Sequence, residues 1–236
     1  MKIRMRMSLV AGVVTLGVLV PLLTACEQYD ESESKTFDVS EKATSVSVDS
    51  GGGNVQVVQG DGETVKVTED AKYASGKKPK TEHYVTDGKL TLKVGSDCRD
   101  GISDADCSVD YKVEVPSGVA VTVRSGGGTV GLTGVTGAVD VSSGGGEVKA
   151  KGLAASKLKA VSSGGTIDVN WVKPPDDVNV EAKGGNVTVR VPDDSYNVSA
   201  NTSLGSEKVE VKSSSTASRR IVAHTFAGDV KVLVAG

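Results

Sequence analysis

The sequence predicts an all-β chain that folds as a parallel β-solenoid, a β-helix-like stack of roughly 20-residue rungs with two short strands in each rung. Glycine clusters recur at a nearly constant interval, and each cluster opens into a run in which apolar and polar residues alternate. Aromatic residues make up only 3% of the chain, while valine is abundant, and β-branched side chains favour strands. Beyond residue 25 no run has the apolar spacing of a helix, so the mature chain is predicted to be almost free of helix.

The repeat becomes visible when the alternating runs are aligned on the glycine that precedes them. The first apolar residues of successive runs are separated by 18, 19, 20, 22 and 21 residues. These residues are Val130, Val148, Ile167, Val187, Val209 and Val230, and the second apolar column is Leu132, Ala150, Val169, Val189, Val211 and Val232. A second run precedes each glycine cluster, and the earlier runs 53–57 and 88–92 fit the same template. In such a repeat, stacked neighbours bury a continuous core that one rung alone cannot form.

The residues between the two apolar columns are predicted to point outward. If consecutive rungs stack in register, Lys149 faces Asp168 and Glu210 faces Lys231. Facing charges of opposite sign stabilise a sheet, so this column favours stacking in chain order. An antiparallel β-sandwich also has short strands at regular spacing and remains the alternative architecture.

The first 25 residues have the three parts of a secretory signal peptide: a basic start, an apolar middle and small residues at the end. The ending Leu23-Thr24-Ala25-Cys26 resembles the lipobox of bacterial lipoproteins. That resemblance implies cleavage before Cys26 and attachment of acyl chains such as palmitate to its thiol, and two or more chains give stable anchoring. We therefore expect an exported protein whose lipid holds it on the outer face of the bacterial cell membrane. An ordinary signal peptide with an incidental cysteine and an uncleaved membrane helix are the alternatives.

The residues after the signal segment divide into a tether and one domain. Residues 27–36 are acidic and lack apolar periodicity, so 26–36 is predicted to be a lipidated cysteine followed by a flexible tether. Strand patterns begin at Phe37 and continue to the end, which predicts a single solenoid domain over 37–236. The formal charge of −3 becomes about −6 without the signal segment, and this balance argues against a nucleic-acid partner.

A loop over residues 97–110 interrupts the strand patterns. Cys98 and Cys107 are the only thiols left once Cys26 carries lipid. In an exported protein a close pair between strands predicts a disulfide that staples the loop. Five aspartates crowd the same loop, but their spacing does not match the EF-hand pattern, so a solvated acidic turn is favoured over a calcium site.

No catalytic, metal or cofactor motif stands out in the sequence, and we predict a protein that is not an enzyme and has no cofactor. Gly126–Gly131 matches G-x-G-x-x-G, yet a strand follows it where phosphate binding needs a helix. The two histidines, His83 and His224, are interpreted as structural or exposed. Trp171 is either a loop anchor or a surface contact. Asp168, Arg190 and Lys149 are predicted to share an exposed face, as the acidic and basic residues of some β-helix polysaccharide lyases do.

The pattern as a whole resembles a known bacterial family. The Ser-Gly units at Ser125-Gly126, Ser143-Gly144 and Ser163-Gly164, and the run from Val187 to Pro192, resemble the putative-adhesin, β-strand-repeat family of exported proteins of unknown function. The resemblance covers about residues 37 to 236 and implies a parallel β-solenoid at the cell envelope, with no catalytic residues to carry over.

Three functions are compatible with these features. The first is a non-enzymatic, lipid-anchored envelope protein whose solenoid face binds another envelope protein or a cell-wall polymer, as an adhesin or scaffold. The second is a regulatory lipoprotein that senses envelope stress for a membrane partner. The third is a carbohydrate-active enzyme built on a β-helix.

Overall fold

The computed structural model describes residues 29–98 and 107–236. The predicted signal peptide and lipid attachment at Cys26 lie outside these residues. The described chain forms two sheets of ten strands each and one short 3₁₀ turn, Ser96–Cys98. This confirms the prediction of an all-β chain with almost no helix. None of the helical turns in this part of the chain is long and apolar enough to cross a bilayer.

The strands in the first half are β1 Glu31–Val39, β2 Ser45–Asp49, β3 Val55–Gln59, β4 Val65–Tyr73, β5 Thr81–Thr86, β6 Lys89–Val94, β7 Cys107–Val115, β8 Ala120–Ser125, β9 Val130–Thr133 and β10 Val139–Ser143. Those in the second half are β11 Val148–Leu153, β12 Lys157–Ser162, β13 Ile167–Trp171, β14 Asp177–Gly184, β15 Val187–Val191, β16 Ser195–Leu204, β17 Glu207–Val209, β18 Lys212–Ser213, β19 Arg220–Ala227 and β20 Val230–Val234. Sheet A has the order β1-β4-β7-β3-β9-β11-β13-β15-β20-β17, and sheet B has the order β18-β16-β19-β14-β12-β10-β8-β2-β6-β5.

Each rung of the stack contributes one strand to each sheet. The four central rungs β8/β9, β10/β11, β12/β13 and β14/β15 follow one another in chain order, and all their pairings are parallel. In sheet A the register joins Val130 to Val148, Val148 to Ile167 and Ile167 to Val187, as the repeat predicts. The parallel solenoid is therefore confirmed, and the antiparallel sandwich is wrong.

The core lies between the two sheets and consists mainly of small aliphatic side chains. Val148, Val169 and Val189 from sheet A and Val141 and Val180 from sheet B are each 0% exposed. Alternate residues on these strands point outward, which is the period-two pattern that the sequence shows. Burying such a valine contributes roughly 1.5–3 kcal/mol.

Stacked glycines bring the rungs close together at one corner of the solenoid. A Cβ atom added to Gly146 would lie 2.0 Å from the carbonyl oxygen of Gly128, and one on Gly165 would lie 2.1 Å from that of Gly146. A buried serine supports each of two such turns, because Ser125 Oγ donates to Gly128 O at 3.1 Å and Ser143 Oγ donates to Gly146 O at 2.9 Å. The glycine column is thus required by close backbone approach and not only by turn conformation.

Both ends of the stack depart from chain order. Near the N-terminus, rung β2/β3 lies between β6/β7 and β8/β9; near the C-terminus, rung β19/β20 lies between β14/β15 and β16/β17. The first rung in the sequence, β2/β3, is therefore not at the end of the stack, because β6/β7 lies beyond it. In the same way β16/β17 lies beyond the last rung in the sequence, β19/β20. This arrangement gives the two terminal rungs neighbours on both sides, which strands at a chain end usually lack.

The inserted C-terminal rung corrects the predicted columns. Val230 pairs with Val187 on one side and with Glu207 on the other, so Val209 pairs with Val232 and does not stand in the first apolar column. The expected contact between Glu210 and Lys231 is consequently wrong: Lys231 lies between Thr188 and Lys208 in the register. Repeat counting assumes chain order, and the pairing in the structure does not follow it.

Charged residues at the start of β19 hold this insertion in place. Arg219 lies 3.2 Å from Asp194, which precedes β16, and 3.9 Å from Asp176, which precedes β14. The next residue continues the link, because Arg220 N donates to Asp176 O at 2.8 Å. One arginine thus bridges the two rungs between which its own strand lies.

The N-terminal end is closed by antiparallel strands. β1 pairs with β4 over its whole length, and β5 pairs with β6 through the hairpin turn at Asp87-Gly88. Phe37 on β1 and His83 on β5 bring their ring centroids within 4.5 Å, so the two edge strands meet across the end of the core. His83 is exposed and contacts Phe37, in agreement with its interpretation as a structural or exposed residue.

Two segment boundaries differ from the sequence prediction. β1 begins at Glu31, so residues 31–36 belong to sheet A and not to the flexible tether predicted over 26–36. Their side chains are exposed at a sheet edge, where backbone pairing needs no apolar alternation.

The run 88–92 forms β6 of sheet B, whereas 53–57 contains β3 of sheet A, so these two runs do not occupy equivalent places. An alternating run has the same appearance in either sheet.

The structure contains the predicted disulfide between Cys98 and Cys107, whose Cα atoms are 5.6 Å apart. The predicted loop over 97–110 is shorter than expected because β7 begins at Cys107. Cys107 and Val109 are buried in alternation with Ser108 and Asp110, a strand pattern that the cluster of aspartates obscures. Residues 99–106, which carry most of the aspartates weighed for calcium, lie outside the described residues.

Candidate functional site

A concave surface of the described chain lies on the outer face of sheet A. It is a groove of about 640 Å³ that crosses β7, β3, β9 and β11. Its lining combines polar residues with the apolar residues Val58, Tyr111 and Leu132. The other lining residues include Asn54, Gln56, Lys112, Gly131, Lys149 and Lys151. Because these side chains stand on neighbouring strands of one sheet, their spacing is set by the rung spacing of about 4.8 Å.

The groove exists because residue 131 has no side chain. Gly131 occupies an outward position of β9, between Gln56 on β3 and Lys149 on β11. A Cβ atom built there would meet nothing closer than 3.9 Å, and the backbone does not adopt a positive φ at this residue. The fold therefore does not require glycine at this position, in contrast to the stacked glycines of the corner.

A second depression of about 330 Å³ continues the groove toward the C-terminal end of the stack. It is lined by Lys149, Ala150, Lys151, Asp168, Asn170 and Arg190. Lys149 and Lys151 line both depressions and stand between them. We call the two depressions together the trough and these two lysines the lysine ridge.

Most charges around the trough are paired along or across the strands. Lys149 Nζ lies 2.7 Å from Glu147, which directly precedes β11, and Asp168 forms an ion pair with Arg190 on the neighbouring rung. Both pairs are partly exposed to solvent, and such surface pairs contribute little to stability and exchange partners readily. Among the residues that the structure describes, Lys151 forms no ion pair, so its ammonium group is free to meet a ligand.

Hydrogen bonds fix one wall of the trough. Asn54 N donates to Asp110 Oδ1 at 2.7 Å, and Thr129 N donates to Asn54 Oδ1 at 2.9 Å. These bonds connect three adjacent rungs where the strands begin. They engage the oxygen of the Asn54 amide and leave its NH₂ group available at the groove.

The structure tests where several other residues singled out in the sequence lie. Lys149, Asp168 and Arg190 do share one exposed face, and Lys149 is the register partner of Asp168 as predicted, although each carries its own ion pair. Trp171 is a loop anchor: it is 1% exposed and its indole N–H donates to Ala155 O at 3.0 Å. His224 lies on β19 of sheet B, away from the trough.

The side chains whose pKa values are shifted lie outside the lysine ridge. Burial raises the pKa of the Tyr196 phenol to about 12, and its hydroxyl donates to Pro192 O at 2.9 Å. Burial, together with the charge of Glu69, also raises the pKa of Tyr111. Hydrogen bonds from Ser206 lower the pKa of Asp229. In the part of the chain that is described, no cluster of three or more acidic, histidine or cysteine side chains could hold a metal ion.

The trough itself was not predicted from the sequence. The pattern places Gly131 in the outward column, but whether a missing outward side chain leaves a hollow depends on its neighbours across the sheet. Those neighbours are Gln56, which is distant in sequence, and Lys149. The signal available in the sequence was Gly131 itself, because larger polar side chains occupy the other positions of the outward column.

A stack of parallel rungs whose strands pair in register defines a repeat protein of the β-solenoid class. Within that class the chain belongs to the Toastrack DUF4097 family, whose sequence profile matches residues 99–235. This confirms the resemblance to a β-strand-repeat family of unknown function. No curated protein matches the chain in sequence.

Solved structures share this fold at low sequence identity. A "putative cell adhesion protein" from Clostridium sporogenes has a TM-score of 0.51 at 12% identity, over 87% of this chain and 100% of the other. A "putative adhesin" from Bacteroides fragilis has a TM-score of 0.48 at 13% identity, over 87% of this chain and 98% of the other. The Clostridium protein supports the assignment of the fold.

Proposed function

We propose that this protein is a non-enzymatic binding scaffold of the bacterial envelope, exported and held at the outer face of the cell membrane by lipid on Cys26. The observation that carries the proposal is the trough on sheet A, a concave surface with Lys149 and Lys151 at its centre. Its hollow lies over Gly131, a residue that the fold does not require at this position. The lipobox-like ending of the signal segment supports the anchor. The name of the Clostridium relative, a cell adhesion protein, agrees with a binding role.

The geometry of the trough supports binding more than catalysis. Asp168, the acidic residue that lines the second depression, is paired with Arg190 and partly exposed. Glycoside hydrolysis canonically needs two carboxyl groups that flank the bond. Among the described residues that line the second depression, Asp168 is the only one with a carboxyl group.

Fractionation and pull-down of the full-length chain test both parts of the proposal. The wild-type protein is expected in the membrane fraction, and Cys26→Ser is expected to be released because the acyl chains contribute most of the membrane affinity. The wild-type protein is expected to retain a component of purified cell wall or an envelope protein. Release of both forms alike would contradict the anchor.

The same experiment separates the two alternatives. Capture of one integral membrane protein, with no binding to cell wall, would favour a sensing lipoprotein. Turnover of a wall polysaccharide that disappears in Asp168→Asn would favour a carbohydrate-active enzyme. Absence of any retained envelope component would contradict the binding function.

A further inference from the structure

We propose that the trough binds an acidic glycan in an extended form, with an acidic group of the glycan at the lysine ridge and its hydroxyl groups in the two depressions. The proposal rests on the proposed binding function and adds the chemistry of the ligand. Three features of the trough point to this class: its shape, the position of its cations and the amide side chains in its lining.

The shape fits a chain-like ligand. The two depressions, about 640 and 330 Å³, adjoin each other along the direction in which the rungs stack. A ligand confined to one depression would leave the other open, whereas an extended polymer can occupy both. Because the rungs repeat at a constant spacing of about 4.8 Å, the polar groups of the trough repeat along that direction as well.

The lysine ridge gives the trough a charge at its centre. Any ligand that occupies either depression meets Lys149 and Lys151, since both side chains line both spaces. Lys151 has no ion-pair partner among the described residues, and the partner of Lys149 is a Glu147 carboxylate on an exposed pair. An acidic group at the ridge would pair with the free ammonium group of Lys151 at little cost in broken contacts.

The rest of the lining supplies hydrogen bonds suited to hydroxyl groups. Gln56 and Asn54 border the first depression, and Asn170 borders the second. Amide side chains can donate and accept at once, which suits a ligand whose hydroxyl groups do the same.

Binding of purified full-length protein to three soluble polymers tests the proposal. Polygalacturonate carries carboxylates, phosphorylated dextran carries phosphates, and plain dextran is neutral. At least one acidic polymer is expected to bind about tenfold or more tightly than dextran, with an affinity that falls as salt rises. The acidic polymer that binds more tightly shows whether a carboxylate or a phosphate is preferred.

Two variants of the trough and one matched control make the test specific. Lys149→Glu/Lys151→Glu is expected to lower the affinity for the acidic polymer at least about tenfold. Lys157→Glu/Lys159→Glu makes the same change of charge on exposed positions of β12, in sheet B, and is expected to leave binding nearly unchanged. Gly131→Gln fills the groove without changing charge, and it is expected to weaken binding while the melting temperature stays that of the parent.

Several results would overturn the proposal. Equal loss of binding in the sheet B control would show non-specific charge attraction. Unchanged binding in Gly131→Gln would place the ligand outside the trough. Retention of an envelope protein by the wild-type chain, without binding to either acidic polymer, would contradict the glycan while leaving the proposed binding function intact. Failure to retain any envelope component would contradict the proposed function itself.

Discussion

Gly146→Ala is expected to destabilise the protein by more than about 3 kcal/mol. The added Cβ would lie 2.0 Å from Gly128 O and 2.6 Å from Gly127 O, and both atoms are backbone. No side-chain rotation can relieve that overlap, so neighbouring rungs must separate or the turn must rearrange. A denaturant titration of the variant and the parent measures the loss as a fall in the unfolding midpoint.

The preceding residue provides the matched control. A Cβ on Gly145 would meet nothing within 4 Å, and its backbone does not adopt a positive φ. Gly145→Ala is therefore expected to lie within about 0.5 kcal/mol of the parent. If the two variants were equally stable, the close stacking of the glycine column would be wrong.

Val189→Asp is expected to prevent folding. Val189 is 0% exposed and lies between Val169 and Val232 in the register of sheet A. The change removes roughly 1.5–3 kcal/mol of burial and places a carboxylate where no partner exists. Val169→Asp is expected to behave in the same way, because Val169 occupies the same column one rung earlier.

Thr188→Asp places the same charge one residue away, on the outer face, and is expected to melt within a few degrees of the parent. Soluble yield and circular dichroism on heating compare the variants. A Val189→Asp protein that melted like the parent would show that this column does not face the core.

The middle of the fold was predictable because each rung there repeats the same local pattern. Val130, Val148 and Ile167 stand at nearly equal intervals after a glycine, and the hydrophobic requirement of one rung is met by the next rung in the chain. Sequence spacing and spatial order therefore coincide. The close stacking of glycines and the buried serines before them reinforce this register.

The ends were not predictable for a physical reason. β17 and β20 have similar alternating runs. The apolar pattern alone therefore does not indicate which of these two strands pairs with β15. The signal in the sequence was small: residues 206–208 interrupt the glycine template. The ion pairs that join Arg219 to Asp176 and Asp194 are visible only in the structure. β1 gave no signal because its exposed residues are held by backbone pairing with β4.

The candidate site was predictable only in part. The sequence places Lys149, Asp168 and Arg190 on one face because outward positions alternate with core positions. It does not reveal the hollow over Gly131, because one neighbour of Gly131 is Gln56 on β3, a strand that is distant in the sequence. Only the pairing of β3 with β9 places the two residues side by side. Functional surfaces on a repeat protein depend on which rungs adjoin, and rung order is a property of the whole chain.

The order of the rungs is tested most directly by paired cysteine substitutions on the outer face of sheet A. Thr188 is the register partner of Lys231, so Thr188→Cys/Lys231→Cys in the full-length chain is expected to form a disulfide on mild oxidation, detected by mass spectrometry of the linked peptides. In Thr188→Cys/Glu210→Cys the two positions are separated by β20 and are also offset by two residues, because Lys208 is the register partner of Lys231. They lie more than about 10 Å apart, and no link is expected. A link between positions 188 and 210, with none between 188 and 231, would show that the last rungs stack in chain order and would contradict the inserted rung.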